Sequence, residues 1–472
     1  MQAAGDPCSL EMAQESSGCA IVGHRILQCV PGSTVAIIAK IEPLLGLQIN
    51  EQSWGGRVDT ELNERDNIVR AMAADRIGFA KLTRMAFDGI DLRPLRDELI
   101  SKVSGGTAGA GDGMDLSLIA QLQGDKRTGI AIQAEVLAFH QLFRSPCPLE
   151  KPKLRVLALA AAIDMGGNTP IEFLLEETGI ELKTLYVLPG VDLPLSLPDH
   201  DVAIVVASDS DECRDALAII HHAVARWPRP ILNLPQRVGN LDRDKLHRLL
   251  NGIEGLDIPA TICVARPQLS GVARSDLLPA DIAAELKFPV VVRPRGSHAG
   301  VGLAKVDDSR AMAAYIEDRL EQEFFISRFV DYANEDGLFR KYRVVFVDGR
   351  PYACHMAIAD RWDIWYLNAG MSESAAKRLE EETFMRTFDI SFARHHRTAL
   401  TGMADRIGLD YFTIDCAENK RGELLIFEAD NTAVVHNMDS PDTFPYKPPQ
   451  MRAIFEAFAA MLCRRARREQ AA

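Results

Sequence analysis

The sequence predicts an α/β protein with an all-helical N-terminal region, and three patterns support this prediction. Over residues 59–87 and 117–143, apolar residues recur every three to four positions, as they do on one face of a helix. From Leu154 onwards, short apolar runs alternate with helical segments, which is typical of a Rossmann-like, doubly wound domain. Further along, apolar runs flank turn residues such as Asp348-Gly349, which indicates antiparallel hairpins.

These patterns divide the chain into a loose tail, a helical region, a Rossmann-like domain and two C-terminal segments. We place them at residues 1–32, 33–147, 151–240, 241–330 and 331–465. Residues 117–143 resemble a degenerate tetratricopeptide helix pair, and a plain helical cap is the alternative. The glycine-rich run 104–113 lacks the Gly-Lys-Ser/Thr of a phosphate-binding loop, so we expect a flexible linker there.

Composition narrows the class of protein. The 472 residues are 47% hydrophobic and 25% charged, as in ordinary globular proteins. A net charge of −13 argues against sequence-independent binding to nucleic acid, which needs a basic surface. No apolar run is long enough to predict a membrane span, and the first residues lack the pattern of a secretory signal. Nine irregularly spaced cysteines without a Cys-x-x-Cys pair suit a reducing compartment, so we expect a cytoplasmic protein.

The Rossmann-like domain begins with a continuous apolar run at residues 154–162, as expected of a buried parallel strand. The residues after it fit the start of a helix. Thr169 can cap that helix, Pro170 suits its first turn, and Glu172 completes a capping box.

A glycine-rich segment at residues 288–302 is the first pattern with a clear chemical meaning. A β-branched strand ends at Arg293, and a loop with Gly296, Gly300 and Gly302 follows before the next strand. Small residues let backbone N–H groups approach phosphates, and Arg293 can add a bidentate contact to a phosphate. An ordinary glycine-containing hairpin is the alternative.

A second pattern, at residues 411–431, predicts a metal site. Two apolar strands flank a turn, and a two-residue loop at Arg421-Gly422 places Asp415 directly opposite Glu428. Two buried carboxylates so close would repel each other unless a cation lay between them. Mg²⁺ is bound by one or two carboxylates together with substrate phosphates, so the spacing predicts a metal shared with a nucleotide.

Together these segments resemble the ATP-grasp superfamily, in particular carboxylate–amine ligases of the RimK and glutathione synthetase type. The resemblance covers roughly residues 154–461 and rests on the glycine loop, a following hinge strand, a basic strand and the metal hairpin. It implies that two lobes, 241–330 and 331–465, bind ATP with Mg²⁺, or Mn²⁺ in its place. It also implies activation of a carboxylate as an acyl phosphate, which an amine then attacks. The family usually has Lys at the position of Arg293 and Asn at that of Asp430.

The resemblance assigns roles to individual residues. The nucleotide contacts that it implies are Lys245, Arg293, Gly296, Ser297, His298, Gly300, Gly302, the hinge residues Arg328, Phe329 and Val330, and Asp331 or Asp336 for the ribose. The implied metal ligands are Asp415, Glu428 and Asp430, with Asn431 as the fallback. Lys341 and Arg343 share one face of their strand and match the basic residues that act on the phosphates. We also expect His355, Trp362, Tyr366 and His436 to line the acceptor substrate site.

Several readings of the function stay open from sequence alone. The expected partners are ATP, a carboxylate and an amine, with a peptide or protein recruited by the N-terminal helices as a further hypothesis. An ATP-binding regulator and a carboxylate kinase that stops at the acyl phosphate are the alternatives. The pairs His221-His222 and His395-His396 have no evident third ligand, so we interpret both as structural. Whether the chain forms a homo-oligomer is left open.

Overall fold

The structure is a computed structural model that describes residues 72–194, 196–297 and 300–470. The predicted tail at 1–32, the first part of the helical region up to residue 71, and His298 lie outside the described residues. Within them, no helix combines the length and the apolar character that crossing a bilayer requires.

From residue 72 onwards, the N-terminal region consists of four helices between two short strands. In chain order these elements are β1 (Ala74–Asp75), α1 (Phe79–Phe87), α2 (Arg93–Ser104), α3 (Ala110–Leu122), α4 (Lys126–Phe139) and β2 (Leu142–Arg144). Their apolar faces form a core of their own that includes Leu82, Leu99, Ile119 and Leu137. Helices α3 and α4 pack closely on each other, and the tetratricopeptide likeness of this pair stays a prediction.

The predicted linker at residues 104–113 is wrong in its second half, because α3 begins at Ala110. A side chain at Gly111 would stand 1.8 Å from the backbone oxygen of Asp75, and one at Gly113 would stand 2.6 Å from the Val136 side chain. The two glycines therefore let α3 pack closely against β1 and α4. Glycines needed for close packing look the same in sequence as glycines needed for flexibility.

The Rossmann-like domain follows. Its elements are β3 (Arg155–Ala161), α5 (Ile171–Leu174), β4 (Glu181–Val187), β5 (Val202–Val205), a 3₁₀ turn (Asp211–Cys213), α6 (Arg214–Val224), β6 (Ile231–Leu232) and α7 (Pro235–Val238). The strands form a six-stranded sheet in the order β1-β2-β4-β3-β5-β6, in which β4, β3, β5 and β6 are parallel.

The N-terminal region is not all-helical, because β1 and β2 extend this sheet. Strand β2 pairs antiparallel with β4, and its Phe143 is buried. The predicted capping box at Thr169 and Glu172 is also wrong, since α5 begins after Pro170 and no side chain caps it. The Glu172 carboxylate instead accepts hydrogen bonds from the Ala80 backbone N–H (2.9 Å) and the Ser145 hydroxyl (2.7 Å). Glu172 therefore ties the helical region to the sheet.

A separate lobe carries the glycine loop. Its segment contains α8 (Arg243–Leu250), β7 (Leu256–Asp257), β8 (Thr261–Ala265), α9 (Arg266–Ala273), α10 (Pro279–Ile282), β9 (Val290–Pro294), β10 (Ala304–Val306), α11 (Ser309–Glu317) and β11 (Glu323–Arg328). Strands β10, β9, β11 and β8 form an antiparallel sheet in that order. Valines and phenylalanines such as Val290, Val292 and Phe324 give the lobe its own core.

The second lobe holds the predicted metal hairpin. Its elements are β12 (Phe339–Val347), β13 (Arg350–Ala359), a 3₁₀ turn (Tyr366–Asn368), α12 (Ala375–Thr387), α13 (Phe392–His395), α14 (Arg397–Ile407), β14 (Tyr411–Glu418), β15 (Leu424–Asp430) and α15 (Lys447–Gln470). The sheet order is β13-β12-β14-β15-β7, so β7 belongs to this lobe's sheet. This sheet and the Rossmann-like sheet share one continuous core.

Several polar contacts join the Rossmann-like domain to the second lobe, and two buried ones are made by Asn233 and Thr169. Asn233 is buried, and its amide pairs with the backbone N–H and carbonyl of Tyr411 at 2.9 and 2.8 Å. The Thr169 hydroxyl donates to the backbone oxygen of Asn431 (2.7 Å), in the loop after β15. The loop that follows β15 is thereby fixed to the first sheet.

We expect Thr169→Val to lower the free energy of unfolding by about 1–2 kcal/mol, since it removes a buried hydrogen bond without changing the side chain's volume. Urea unfolding followed by circular dichroism measures this. Thr387→Val is the matched control, because that hydroxyl bonds only to the exposed turn of its own helix. Equal stability of the two variants would show that the tie to Asn431 contributes nothing.

Candidate active site

Four polar residues form a row across the sheet of the second lobe. Arg343 on β12 is the Cα partner of His355 on β13 and of Asp415 on β14, and Asp415 is the partner of Glu428 on β15. Residues directly opposite each other on neighbouring strands project from the same face. The row therefore presents an arginine, a histidine and two carboxylates on one surface.

The predicted pairing of Asp415 with Glu428 is present, although the turn is not the predicted one. Glu418 pairs with Leu424, and the Asn419 N–H donates to the Glu423 carbonyl (3.0 Å), which leaves a three-residue loop. A β-bulge between Asp415 and Cys416 then shifts the register by one residue. The bulge compensates for the longer turn, so the two carboxylates still lie opposite each other.

Asp415 is the centre of a buried ion cluster. The Arg343 guanidinium donates two hydrogen bonds to its carboxylate, at 2.8 and 3.0 Å, and the Lys341 ammonium lies 2.7 Å from Oδ2. Burial alone would raise the pKa of Asp415, but the charges of Arg343 and Lys341 hold that pKa well below its usual range. Asp415 is therefore ionised at neutral pH, and the two predicted catalytic cations contact it directly.

Glu428 is held by a cation from another element. Arg243, the first residue of α8, forms an ion pair with its carboxylate. Burial raises the pKa of Glu428, but the positive charges of Arg243, Lys341 and Arg293 lower it overall. The Glu428 side chain remains 34% exposed, so a ligand can reach it.

These cations change the electrostatic basis of the metal prediction. Repulsion between Asp415 and Glu428 was expected to demand a metal ion, yet Arg343, Lys341 and Arg243 already compensate both carboxylates. The opposed pair is thus compatible with a metal but does not require one. The sequence pattern could not show this, because Arg243 lies 185 residues from Glu428.

The oxygen ligands around β15 fit a hard cation such as Mg²⁺. Asp430 shares the face of Glu428, while its Oδ1 accepts hydrogen bonds from the Thr432 N–H (2.6 Å) and hydroxyl (2.8 Å). Asn431 points to the first sheet and donates to the Ala207 carbonyl (2.9 Å), and its Oδ1 is buried without a partner among the described residues. Burial, and to a smaller extent the charges of Asp430 and Asp242, raise the pKa of Asp209 to about 7.

The glycine loop begins at Arg293, at the end of β9. The Arg293 side chain is buried and bonds to Ser297, through Nε to the hydroxyl (3.1 Å) and through Nη2 to the carbonyl. Burial and the charge of Arg243 lower the pKa of Arg293 to about 9, so it stays charged at neutral pH. Gly296, Gly300 and Gly302 all have φ near +70°, a conformation that other residues adopt with strain.

The hinge residues Arg328, Phe329 and Val330 lie at and just after the end of β11 and connect the two lobes. Arg328 pairs with Asp257, and the Phe329 ring stands edge-on to the Trp362 ring with centroids 5.5 Å apart. The Lys305 ammonium lies 4.9 Å from the centre of the Phe329 ring. Val330 packs in a small apolar cluster with Tyr332. An apolar wall with a neighbouring cation suits a purine base, and the adenine role of these residues stays a prediction.

The two candidate ribose ligands are both engaged with cations at the surface. Asp331 pairs with Lys420, and Asp336 with Arg340 at 2.8 Å. Hydrogen bonds from Arg340 lower the pKa of Asp336 to about 2. Neither ion pair shows which of the two aspartates would bind the ribose, so the ribose ligand stays a prediction.

The four predicted substrate residues lie in three different places. Trp362 contacts the hinge, as described above, while Tyr366 packs on His355 with ring centroids 4.6 Å apart. His436 lies between Phe87 and Phe173, and its Nδ1 accepts from the Met438 N–H (3.1 Å). His436 therefore packs like a structural histidine against α1. His355, in contrast, lies opposite Arg343, and Tyr366 packs on His355. Burial lowers the pKa of both histidines, that of His436 to about 4, so both are neutral.

Sequence reasoning missed two cations near this row. Arg243 contacts Glu428, whereas the predicted Lys245 is exposed and donates to the Gly239 carbonyl (3.0 Å). The Asp242 cap at the start of α8 was the available signal, since the residue after a cap begins the helix. Lys447 is buried at the start of α15, 2.9 Å from Asp439 and 4.4 Å from the centre of the Tyr366 ring. No local sequence signal identifies Lys447.

Several solved structures are similar to the chain. A RimK-domain ATP-grasp protein from Sphaerobacter thermophilus is 18% identical, with a TM-score of 0.38, over 66% of this chain and 99% of its own. The VanG D-Ala:D-Ser ligase from Enterococcus faecalis is 12% identical, with a TM-score of 0.40, over 66% of this chain and 100% of its own. The D-cycloserine synthetase DcsG is 16% identical, with a TM-score of 0.37, over 65% and 99% of the two chains. No family model and no curated protein matches the chain. The functional assignment therefore rests on the geometry of the site.

We expect Arg293→Met to weaken binding of a nonhydrolysable ATP analogue about tenfold or more, because a charged hydrogen bond to phosphate is lost. Arg293→Lys keeps the charge and is expected to bind within a few-fold of the wild type. Isothermal titration calorimetry measures both affinities. Arg274→Met, which removes an exposed arginine of the same lobe, is the control. Unchanged affinity in Arg293→Met would exclude a phosphate contact.

Proposed function

We propose that the chain is an ATP-dependent carboxylate–amine ligase of the ATP-grasp type. The observation that supports this most is the position of the opposed pair Asp415 and Glu428. It lies beside two cations of the same sheet, and Arg293 of the glycine loop is close enough for its charge to lower the pKa of Glu428. Cations and carboxylates gathered beneath a glycine loop suit phosphoryl transfer, which depends on positioning and charge stabilisation.

A bound magnesium ion is part of this proposal. Asp415, Glu428 and Asp430 would hold Mg²⁺, which supplies charge neutralisation of the ATP phosphates when it is bound. Because Arg343 and Lys341 both contact Asp415, they would stand next to the same phosphates. The two cations would then stabilise the negative charge that builds up on the transferred phosphoryl group.

The proposed reaction has two steps. A carboxylate oxygen of the acid attacks the γ-phosphorus, the bond to the β-phosphate oxygen breaks, and ADP leaves with that electron pair. The amine then attacks the acyl carbon, phosphate leaves, and the amine proton passes to solvent or to the departing phosphate. His355 is neutral and half-buried beside Arg343, so it can orient the acyl phosphate without adding charge.

The full chain should be tested with MgATP and a panel of amino acids and short peptides as acids and amines, with ADP release as the readout. Hydroxylamine added with each acid traps an acyl phosphate as a hydroxamate. ADP release that needs both an acid and an amine supports the ligase. Hydroxamate formation together with amine-independent ADP release would instead identify a carboxylate kinase.

An ATP-binding regulator is the second candidate, and one observation favours it. Both oxygens of Asp415 are engaged by Arg343 and Lys341, as in a closed structural ion cluster. A regulator would bind the ATP analogue and release no ADP with any pair of substrates. Turnover with any pair excludes this candidate.

We further propose that the N-terminal helical region recruits a peptide or protein substrate. It carries exposed apolar side chains at Ile90 and Phe139. A chain that begins at Lys151 is a poor test, because it lacks β2 and leaves the edge of β4 unpaired. The double variant Ile90→Ser/Phe139→Ser keeps the sheet intact. A raised KM for a peptide acceptor but not for a free amino acid is expected, and an unchanged KM for the peptide would contradict recruitment through these two side chains.

A further inference from the structure

Two adjacent histidines and a glutamate meet at the turn end of the β14–β15 hairpin. The His396 Nε2 lies 2.9 Å from Glu418 Oε1, and the His395 Nε2 lies 3.2 Å from the Gly422 carbonyl oxygen in the turn. One ligand atom from each of His395, His396 and Glu418 lies within 4.8 Å of the other two. Among the described residues, no other group of three or more His, Cys, Asp or Glu side chains is gathered this closely.

This cluster is separate from the candidate active site. Asp415 and Glu418 lie three positions apart on β14, so their side chains project from opposite faces of the sheet. The Glu418 face is covered by the aromatic residues of α12 and α13, as shown by Tyr342 packing on Phe384 and Phe392. The cluster therefore lies behind the sheet, between the hairpin turn and the junction of α13 with α14.

Two of the three side chains are already positioned by the fold. His396 is 4% exposed and packs against the Phe392 ring with centroids 4.7 Å apart, so its ring orientation is fixed. Glu418 ends β14 and points at His396. His395 is exposed at the end of α13, so its side chain can rotate toward the other two. Such an arrangement needs only one side chain to move when an ion binds.

The chain contains an internal comparison for this pair. His221 and His222 are also adjacent, on α6, with ring centroids 6.0 Å apart. His221 contacts Gln236 at 3.3 Å, and no carboxylate completes a group of three there within the described residues. Adjacent histidines alone do not make a metal site, and the carboxylate of Glu418 is what distinguishes the second pair.

We propose that His395, His396 and Glu418 bind a divalent transition-metal ion such as Zn²⁺. A set of two imidazoles and one carboxylate binds Zn²⁺ in preference to Mg²⁺, which favours oxygen ligands. The three side chains leave the fourth coordination position for water. Metal–ligand bonds of about 2.0–2.2 Å require the three donor atoms to approach one another, which rotation of His395 allows. The ion links the hairpin turn to α13 and α14 and so fixes the end of β14.

Metal-free full-length protein should be titrated with Co²⁺, whose visible absorption is strong in four-coordinate nitrogen-containing sites and weak in six-coordinate oxygen sites. This readout separates the proposed site from any oxygen site near Asp415. We expect one equivalent of strongly absorbing Co²⁺, displaced by Zn²⁺. His395→Ala and Glu418→Gln are each expected to weaken this binding on the order of tenfold or more.

His222→Ala is the matched control, since it removes a histidine from the other adjacent pair and should leave the spectrum unchanged. His395 is exposed, so its replacement tests ligation without removing a core side chain, and far-UV circular dichroism verifies the fold. Absence of the intense bands in the wild type overturns the proposal. Equal Co²⁺ affinity in the wild type and His395→Ala overturns it as well.

Discussion

Replacing Glu428 by glutamine is expected to reduce ATP turnover about 10²–10³-fold, which is the usual effect of removing one group that stabilises transition-state charge. Glutamine keeps the size of the side chain and can still accept a hydrogen bond from Arg243, so the fold around β15 should persist. The negative charge that balances Arg243, and that would hold the proposed metal ion, is lost. Steady-state ADP release, measured at several Mg²⁺ concentrations, separates weaker metal binding from a slower chemical step.

The matched control is Glu423→Gln, in the turn of the same hairpin. Glu423 contacts Arg421 and Asn419 and is remote from the row of polar residues. We expect its turnover to stay within a few-fold of the wild type. If Glu428→Gln and Glu423→Gln turn over ATP at equal rates, Glu428 has no part in catalysis or metal binding.

The hairpin of β14 and β15 shows what sequence spacing can predict. Two apolar strands around a turn limit the possible registers, and the length of the turn then decides which residues lie opposite each other and share a face. The prediction assumed a two-residue turn, and the three-residue turn with its bulge leads to the same pair. Other features fall outside such reasoning. Strands β1 and β2, of two and three residues, are too short to show any period, and they are held by pairing with distant segments.

The candidate site was predicted in part, and its gaps have a physical cause. Residues within one hairpin, such as Lys341 and Arg343, were predictable because local geometry places them. The contacts of three other residues could not be predicted in this way, because each joins separate elements and depends on how those elements pack. These residues are Arg243, Lys447 and Glu418. Trp362 and Tyr366, only four positions apart, contact the hinge and His355 respectively, because the chain between them leaves the sheet.

We expect Asp415→Asn to lower the free energy of unfolding by about 3–5 kcal/mol, because it leaves two cations in a largely buried setting without their counter-charge. Asp415 is 3% exposed, and Arg343 and Lys341 are 20% and 22% exposed. Asparagine keeps the shape of the side chain, so the loss reflects charge. Guanidinium unfolding monitored by fluorescence measures it. Asp389→Asn, which breaks the exposed pair with Arg350, is the control and is expected to cost at most about 1 kcal/mol.

The same variant has a defined pH dependence. The folded-state pKa of Asp415 is depressed below its unfolded value of 3.8, so its contribution is complete above about pH 4 and is lost as the pH falls further. The stability gap between wild type and Asp415→Asn should therefore be constant from pH 5 to 7 and narrow below about pH 4. A gap under about 1 kcal/mol at neutral pH would mean that the cluster is as well solvated as a surface ion pair. In that case water reaches Asp415 without a ligand, and Lys341 and Arg343 would be free to turn from the carboxylate toward a phosphate.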